Sequence, residues 1–117
     1  GAANAYIAEL TTGVNGIPYS VEMSCVEAPT GGDPDINLVC SATSTDAENA
    51  AVSTPTVVVN GGDWALGMRQ QHDAGTTLAA LSLKYLYLTC GTATEAAYTA
   101  GKLVIKIWGA AFDYNNG

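Results

Sequence analysis

The single histidine, His72, sits in the polar run Arg69-Gln70-Gln71-His72-Asp73, just before Ala74-Gly75. An imidazole next to a carboxylate is part of a Ser-His-Asp arrangement, whose members can come from distant points of a chain. No Gly-x-Ser-x-Gly turn marks a nucleophile, so His72 is read as an exposed loop residue. Zinc needs Cys and His in paired spacing. Cys25, Cys40 and Cys90 are too far apart to supply it with one histidine. Asp33 and Asp35 follow Gly31-Gly32 and offer carboxylates to calcium, but no Asp-x-Asp-x-Asp-Gly pattern follows, and the segment reads as a solvated loop. Gly31-Gly32 and Gly61-Gly62 lack the Lys-Ser or Lys-Thr pair of a phosphate loop. With 11 acids some carboxylate pair is always available, so the count alone does not point to glycoside hydrolysis. These residues predict no catalytic centre, no metal and no cofactor, and a protein that is not an enzyme.

The remaining candidates are surfaces. Lys102, Val104, Lys106 and Trp108 alternate along one face of the last predicted strand. A tryptophan flanked by lysines suits packing on a partner with electrostatic steering. The plainer reading is preferred: lysines on an edge strand keep sheets from joining edge to edge. Phe112 and Tyr114 lie among Gly, Ala and Asn in a predicted C-terminal arm, residues 109–117. Aromatics on an arm gain little unless they dock, either on their own domain or on a neighbour.

Composition narrows the classes of function. Charged residues make up 13% of the chain, against about 25% in ordinary soluble domains. Thr, Ser, Asn and Gly must cover much of the surface, which suits a docked protein or simply a stable β domain. The net charge is −7, and the four bases Arg69, Lys84, Lys102 and Lys106 are scattered. Nucleic acid and anionic membrane surfaces both require clustered cations, so neither is an expected partner. No apolar run is long enough to span a bilayer as a helix, and Gly1–Asn4 shows no basic or apolar leader pattern. The odd, widely spaced cysteines predict buried free thiols made in a reducing cytoplasm, with one disulfide plus one thiol as the alternative.

Period-two alternation dominates the chain and calls for strands. Tyr19, Val21, Met23 and Cys25 alternate with Ser20, Glu22 and Ser24; Ile36, Leu38 and Cys40 repeat the pattern, as do Trp64, Leu66 and Met68. Leu103, Ile105 and Ile107 line one face of a late strand. Leu81–Cys90 is apolar on both faces and predicts a central strand covered on both sides. Trp64, Tyr19, Tyr85 and Tyr87 are expected to be buried. Asn15-Gly16 and Asn60-Gly61 predict hairpin turns. Helical signal is confined to alanine-rich pieces at 46–51 and 95–100, read as loops or single turns. The whole, residues 1–117, predicts one all-β domain: an antiparallel β-sandwich, jelly roll or small barrel of about seven strands with a short C-terminal arm.

Residues 81–111 carry a family resemblance. Lys84-Tyr85-Leu86-Tyr87-Leu88-Thr89, then Gly91-Thr92-Ala93-Thr94, then Thr99-Ala100-Gly101-Lys102-Leu103-Val104-Ile105 form a tyrosine-rich strand, a small-residue loop and a second strand start. The stretch resembles the ends of small capsid decoration (cement) proteins of tailed bacteriophages, of the β-tulip or jelly-roll type. The resemblance implies a structural virion protein on the outer head surface, made in the host cytoplasm. It implies the major capsid protein as partner, a homo-oligomer (trimer or dimer), and a role in stabilising contacts between capsomers. The alternative is a carbohydrate- or receptor-binding β module of a phage fibre or head, which would need exposed aromatics on one face.

Overall fold

A computed structural model describes residues 6–11, 16–45, 52, 54–72, 78, 84–90 and 98–110. These residues form seven strands: β1 (Ala8–Leu10), β2 (Ile17–Thr30), β3 (Ile36–Ser41), β4 (Thr56–Val59), β5 (Arg69–Gln71), β6 (Lys84–Cys90) and β7 (Ala100–Ala110). They make two antiparallel sheets, β1-β6-β3-β4 and β5-β2-β7, as expected of a small β-sandwich. The predicted pieces 46–51 and 95–97, and the first residues of the Leu81–Cys90 run, lie outside the described residues.

The core is where the two apolar stripes meet. Val21, Met23 and Cys25 of β2 face Ile36, Leu38 and Cys40 of β3, Val58 and Val59 of β4, and Leu86 of β6. Leu103, Ile105 and Ile107 of β7 close one side as partly buried neighbours. Each buried aliphatic side chain contributes on the order of 2 kcal/mol. A second, smaller cluster lies on the opposite face of the first sheet. There Tyr87, Val39 and Val52 are buried with Tyr85 against them, the Tyr6 ring meets Tyr85 edge-on at 4.9 Å, and the Tyr87 hydroxyl donates to the Thr43 carbonyl at 2.6 Å. β6 therefore has neighbours on both edges and packing on both faces, which explains its unbroken apolar sequence.

Neither predicted hairpin forms. β1 pairs with β6 while β2 pairs with β5 and β7, so the Asn15-Gly16 link crosses between sheets; Asn15 itself lies outside the described residues. The Asn60-Gly61 link likewise carries the chain from β4 in one sheet to β5 in the other. Leu10 and Val21 around the first link, and Val59 and Trp64 around the second, are buried in one shared core instead of side by side in one sheet. Left-handed backbone falls at Gly16 in the first link and at Gly62 in the second, each with φ +67°.

Trp64 fixes the second crossing. Its indole is 3% exposed, and Nε1 donates to the Ile36 carbonyl at 2.7 Å. The Trp64 amide donates to the Pro34 carbonyl at 3.0 Å. Trp64, Leu66 and Met68 are not a strand: the chain turns here, Leu66 is 72% exposed, and the Met68 amide bonds back to the Ala65 carbonyl. Gly61 makes room for the indole, since a Cβ there would collide with Trp64 Nε1 and the Ile36 carbonyl. Gly61→Ala is expected to lower unfolding free energy by about 3 kcal/mol, as read by chemical denaturation. Gly62→Ala, with open space around its Cβ position, should cost only the smaller strain of its positive φ.

Candidate functional site

The candidate site is the solvent-facing side of the β5-β2-β7 sheet. Register places Trp108 opposite Ser20, Lys106 opposite Glu22, Val104 opposite Ser24, and Lys102 opposite Glu27. On the far side of β2, Gln71 lies opposite Glu22 and Arg69 opposite Ser24. Glu22 reaches the Arg69 guanidinium at 3.9 Å. Opposite charges thus alternate across the face, which favours this pairing of strands. Ser24, Val26, Arg69, Val104 and Lys106 line an open groove of about 290 Å³.

Irregularities in β2 add to the apolar content of this face. The β2–β7 register shifts between Pro18 and Ser20 and between Cys25 and Glu27. The extra residues are Tyr19 and Val26, 59% and 48% exposed. A bulge re-aims the chain by one residue, so Pro18 is buried and Tyr19, expected in the core, is outside. Ile17, at 50%, and Trp108, at 39%, are exposed at the same end of the sheet. Sequence reasoning missed Ile17, Tyr19 and Val26. The signal was there in the runs Ile17-Pro18-Tyr19 and Cys25-Val26, where apolar residues stand side by side and break the alternation.

Lys102, Lys106 and Trp108 come together as expected on one exposed face of β7, and β7 is an edge strand. Phe112 and Tyr114 lie outside the described residues, as does most of the predicted arm; its first residues, Gly109 and Ala110, belong to β7. A strand-wide ladder from Ile17↔Ala110 to Thr30↔Ala100 holds them there, so regular pairing outlasts the alternation of side-chain type.

His72 is half-buried and not a free loop residue. Its amide donates to the Val21 carbonyl at 2.9 Å, and the Val21 amide donates to Nδ1 at 3.3 Å. The ring acts as an acceptor that extends the β2–β5 ladder by one residue. Nδ1 is thereby engaged by backbone rather than by a carboxylate.

Cys25, Cys40 and Cys90 form no disulfide. Cys25 donates to the Glu27 carbonyl at 3.3 Å, and burial pushes the Cys40 thiol up despite the opposing charge of Lys84. Cys90, expected to be buried, is half-buried because it ends β6 at the sandwich rim. A reagent must reach the sulfur, so it should modify the half-buried Cys90 first. Cys25 and Cys40 should react only as fast as the protein unfolds, as followed by mass spectrometry of the labelled peptides.

Acids gather at the start of β3. Asp35 bridges to Asp63 across the sheet edge, and its amide donates to Asp33 Oδ1 at 3.0 Å. The Tyr98 hydroxyl donates to the Asp33 carbonyl at 2.5 Å. Enclosure of that hydroxyl, with Cys90, Asp33 and Asp35 near it, pushes the phenol up to about 12. Among the described residues no group of three or more His, Cys, Asp or Glu side chains is arranged to hold a metal ion. No protein-family model, no curated protein and no solved structure matches this chain.

Asp35 Oδ1 is enclosed and accepts no hydrogen bond. Burial first, then the charges of Asp33 and Asp63, raise the Asp35 carboxyl above its usual value. An acid whose folded pKa is raised weakens the fold when ionised; the cost is present above the raised pKa and is relieved as pH falls through it. Asp35→Asn should therefore raise the thermal midpoint at neutral pH, and the difference should shrink in acid. A difference independent of pH would contradict this account.

Proposed function

We propose that this chain is a capsid decoration protein of a tailed bacteriophage. In this reading it is a structural virion component that binds the major capsid protein on the outer head surface and steadies contacts between capsomers. One observation supports the reading above the others. The wet face of the β5-β2-β7 sheet presents Ile17, Tyr19, Val26 and Trp108 to solvent beside Lys102 and Lys106, on a chain of net charge −7. Exposed aromatics framed by charge are the usual anchors of protein interfaces. A rigid sheet holds them with little entropy left to lose on docking. Repetition of the capsid lattice then multiplies modest contacts, particularly for a homo-oligomer. The resemblance of residues 81–111 to decoration proteins points the same way, and a net-negative chain is poorly suited to binding the packaged DNA.

The exposure of Tyr19 and Trp108 on one sheet also favours a second reading, a carbohydrate- or receptor-binding module. The two readings separate experimentally. Purified protein mixed with mature, DNA-free heads of its phage should co-sediment and saturate, and Trp108→Ala should weaken binding roughly tenfold or more. Failure to bind heads at any salt concentration would remove the decoration reading. Binding to a glycan array that Trp108→Ala abolishes would support the second.

A further inference from the structure

The sandwich has four sheet edges, and three are short. β1 and β5 have 3 residues each and β4 has 4. β7 has 11, and among the described residues its far edge has no strand partner. An edge of that length spans roughly 37 Å at about 3.4 Å per residue. Natural sheets blunt such an edge with bulges, prolines or very short strands. β7 contains no proline, and the extra residues at its register shifts all belong to β2. Among the described residues, lysines are the only guard it carries.

The positions of those lysines are selective. Consider two copies of β7 pairing antiparallel about a two-fold axis. With the axis at Val104, Lys102 meets the second copy's Lys106. With the axis at Lys106, that lysine meets itself. With the axis at Ile105, no lysine faces a lysine: Lys102 lies opposite Trp108 and Lys106 opposite Val104. Ile105 is also the midpoint of Ala100–Ala110, so this register pairs every residue of the strand. On the inner face it sets Leu103 against Ile107 and Ile105 against itself, and these are the partly buried side chains that already border the core. Lysine over tryptophan adds a cation–π contact. The same charges that forbid the neighbouring registers permit this one, which is how edge residues specify register and partner.

We propose that two copies of this chain join edge to edge through β7, antiparallel about a two-fold axis at Ile105, forming a continuous six-stranded sheet β5-β2-β7-β7-β2-β5. Outward, each Lys102 sits between its own Glu27 and the other copy's Trp108, and each Lys106 between its own Glu22 and the other copy's Val104. The interface is isologous, as a two-fold demands. The inference specifies the oligomer in the decoration reading but rests on β7 alone, and its test needs no capsid.

The test is the mass of the full chain in solution by sedimentation equilibrium over a dilution series, for the wild type and two variants at one position. The wild type should be a dimer that dissociates on dilution. Val104→Lys puts like charges opposite each other twice and should raise the dissociation constant roughly tenfold. Val104→Glu puts Glu opposite Lys106 twice and should lower it. Circular dichroism identifies a variant that fails to fold. In that event, wild-type amide exchange decides: the β7 amides between Lys102 and Ala110 that point away from β2 should exchange more slowly at high protein concentration. A wild type that is monomeric throughout, a trimer, variants that shift dimerisation in the same direction, or β7 exchange independent of concentration would each overturn the proposal.

Discussion

The indole of Trp64 holds the sandwich together at the point where the chain changes sheets. Its ring fills the core, its Nε1 satisfies the Ile36 carbonyl, and its amide satisfies the Pro34 carbonyl. Buried polar groups are costly unless paired, so this one side chain secures both the packing and the backbone at the start of β3. The absence of a side chain at Gly61 is the complementary condition. With the crossing pinned, Asn37 Oδ1 can accept the Gly61 amide at 3.0 Å, and Asp63 is brought to Asp35. The turn that follows then bonds to β2: the Cys25 amide donates to the Met68 carbonyl and the Gly67 amide donates to the Cys25 carbonyl.

β2 inherits that constraint and passes it to the candidate surface. It is held on one side by β5, lengthened by the Met68 turn at one end and by the His72 imidazole at the other. On its other side lies β7. Between these neighbours β2 absorbs the extra residues as bulges, and Tyr19, expelled from the core, joins Val26 on the surface. The exposed apolar side chains of this face are thus a geometrical consequence of a longer strand paired with a shorter one. β7, spared the bulges, keeps the even spacing that places its lysines and Trp108 in a definite order along an open edge.

The acids around Asp33, Asp35 and Asp63 mark where stability has been conceded. Like charges are gathered at a rim with one carboxylate oxygen enclosed and unpaired, held by the Tyr98 hydroxyl on the Asp33 carbonyl. The local arrangement is stabilised by backbone and turn hydrogen bonds despite the charges, not because of them.

Much was legible in residue order, because period-two alternation is a local property of a strand with one wet face. It identified β2, β3 and β7, the double-sided burial of β6, and the shared exposed face of Lys102, Lys106 and Trp108. Local pattern could not say which strands pair. Asn15-Gly16 and Asn60-Gly61 have hairpin chemistry, yet both lie on sheet crossings, because burying Leu10, Val21 and Val59 against the opposite wall outweighs turn preference. Nor could it foresee that Tyr19 would be outside, that His72 would complete a ladder, or that Trp64 would plug a crossing rather than sit in a strand. Each of these depends on a partner far along the chain, and only tertiary packing decides which partner that is.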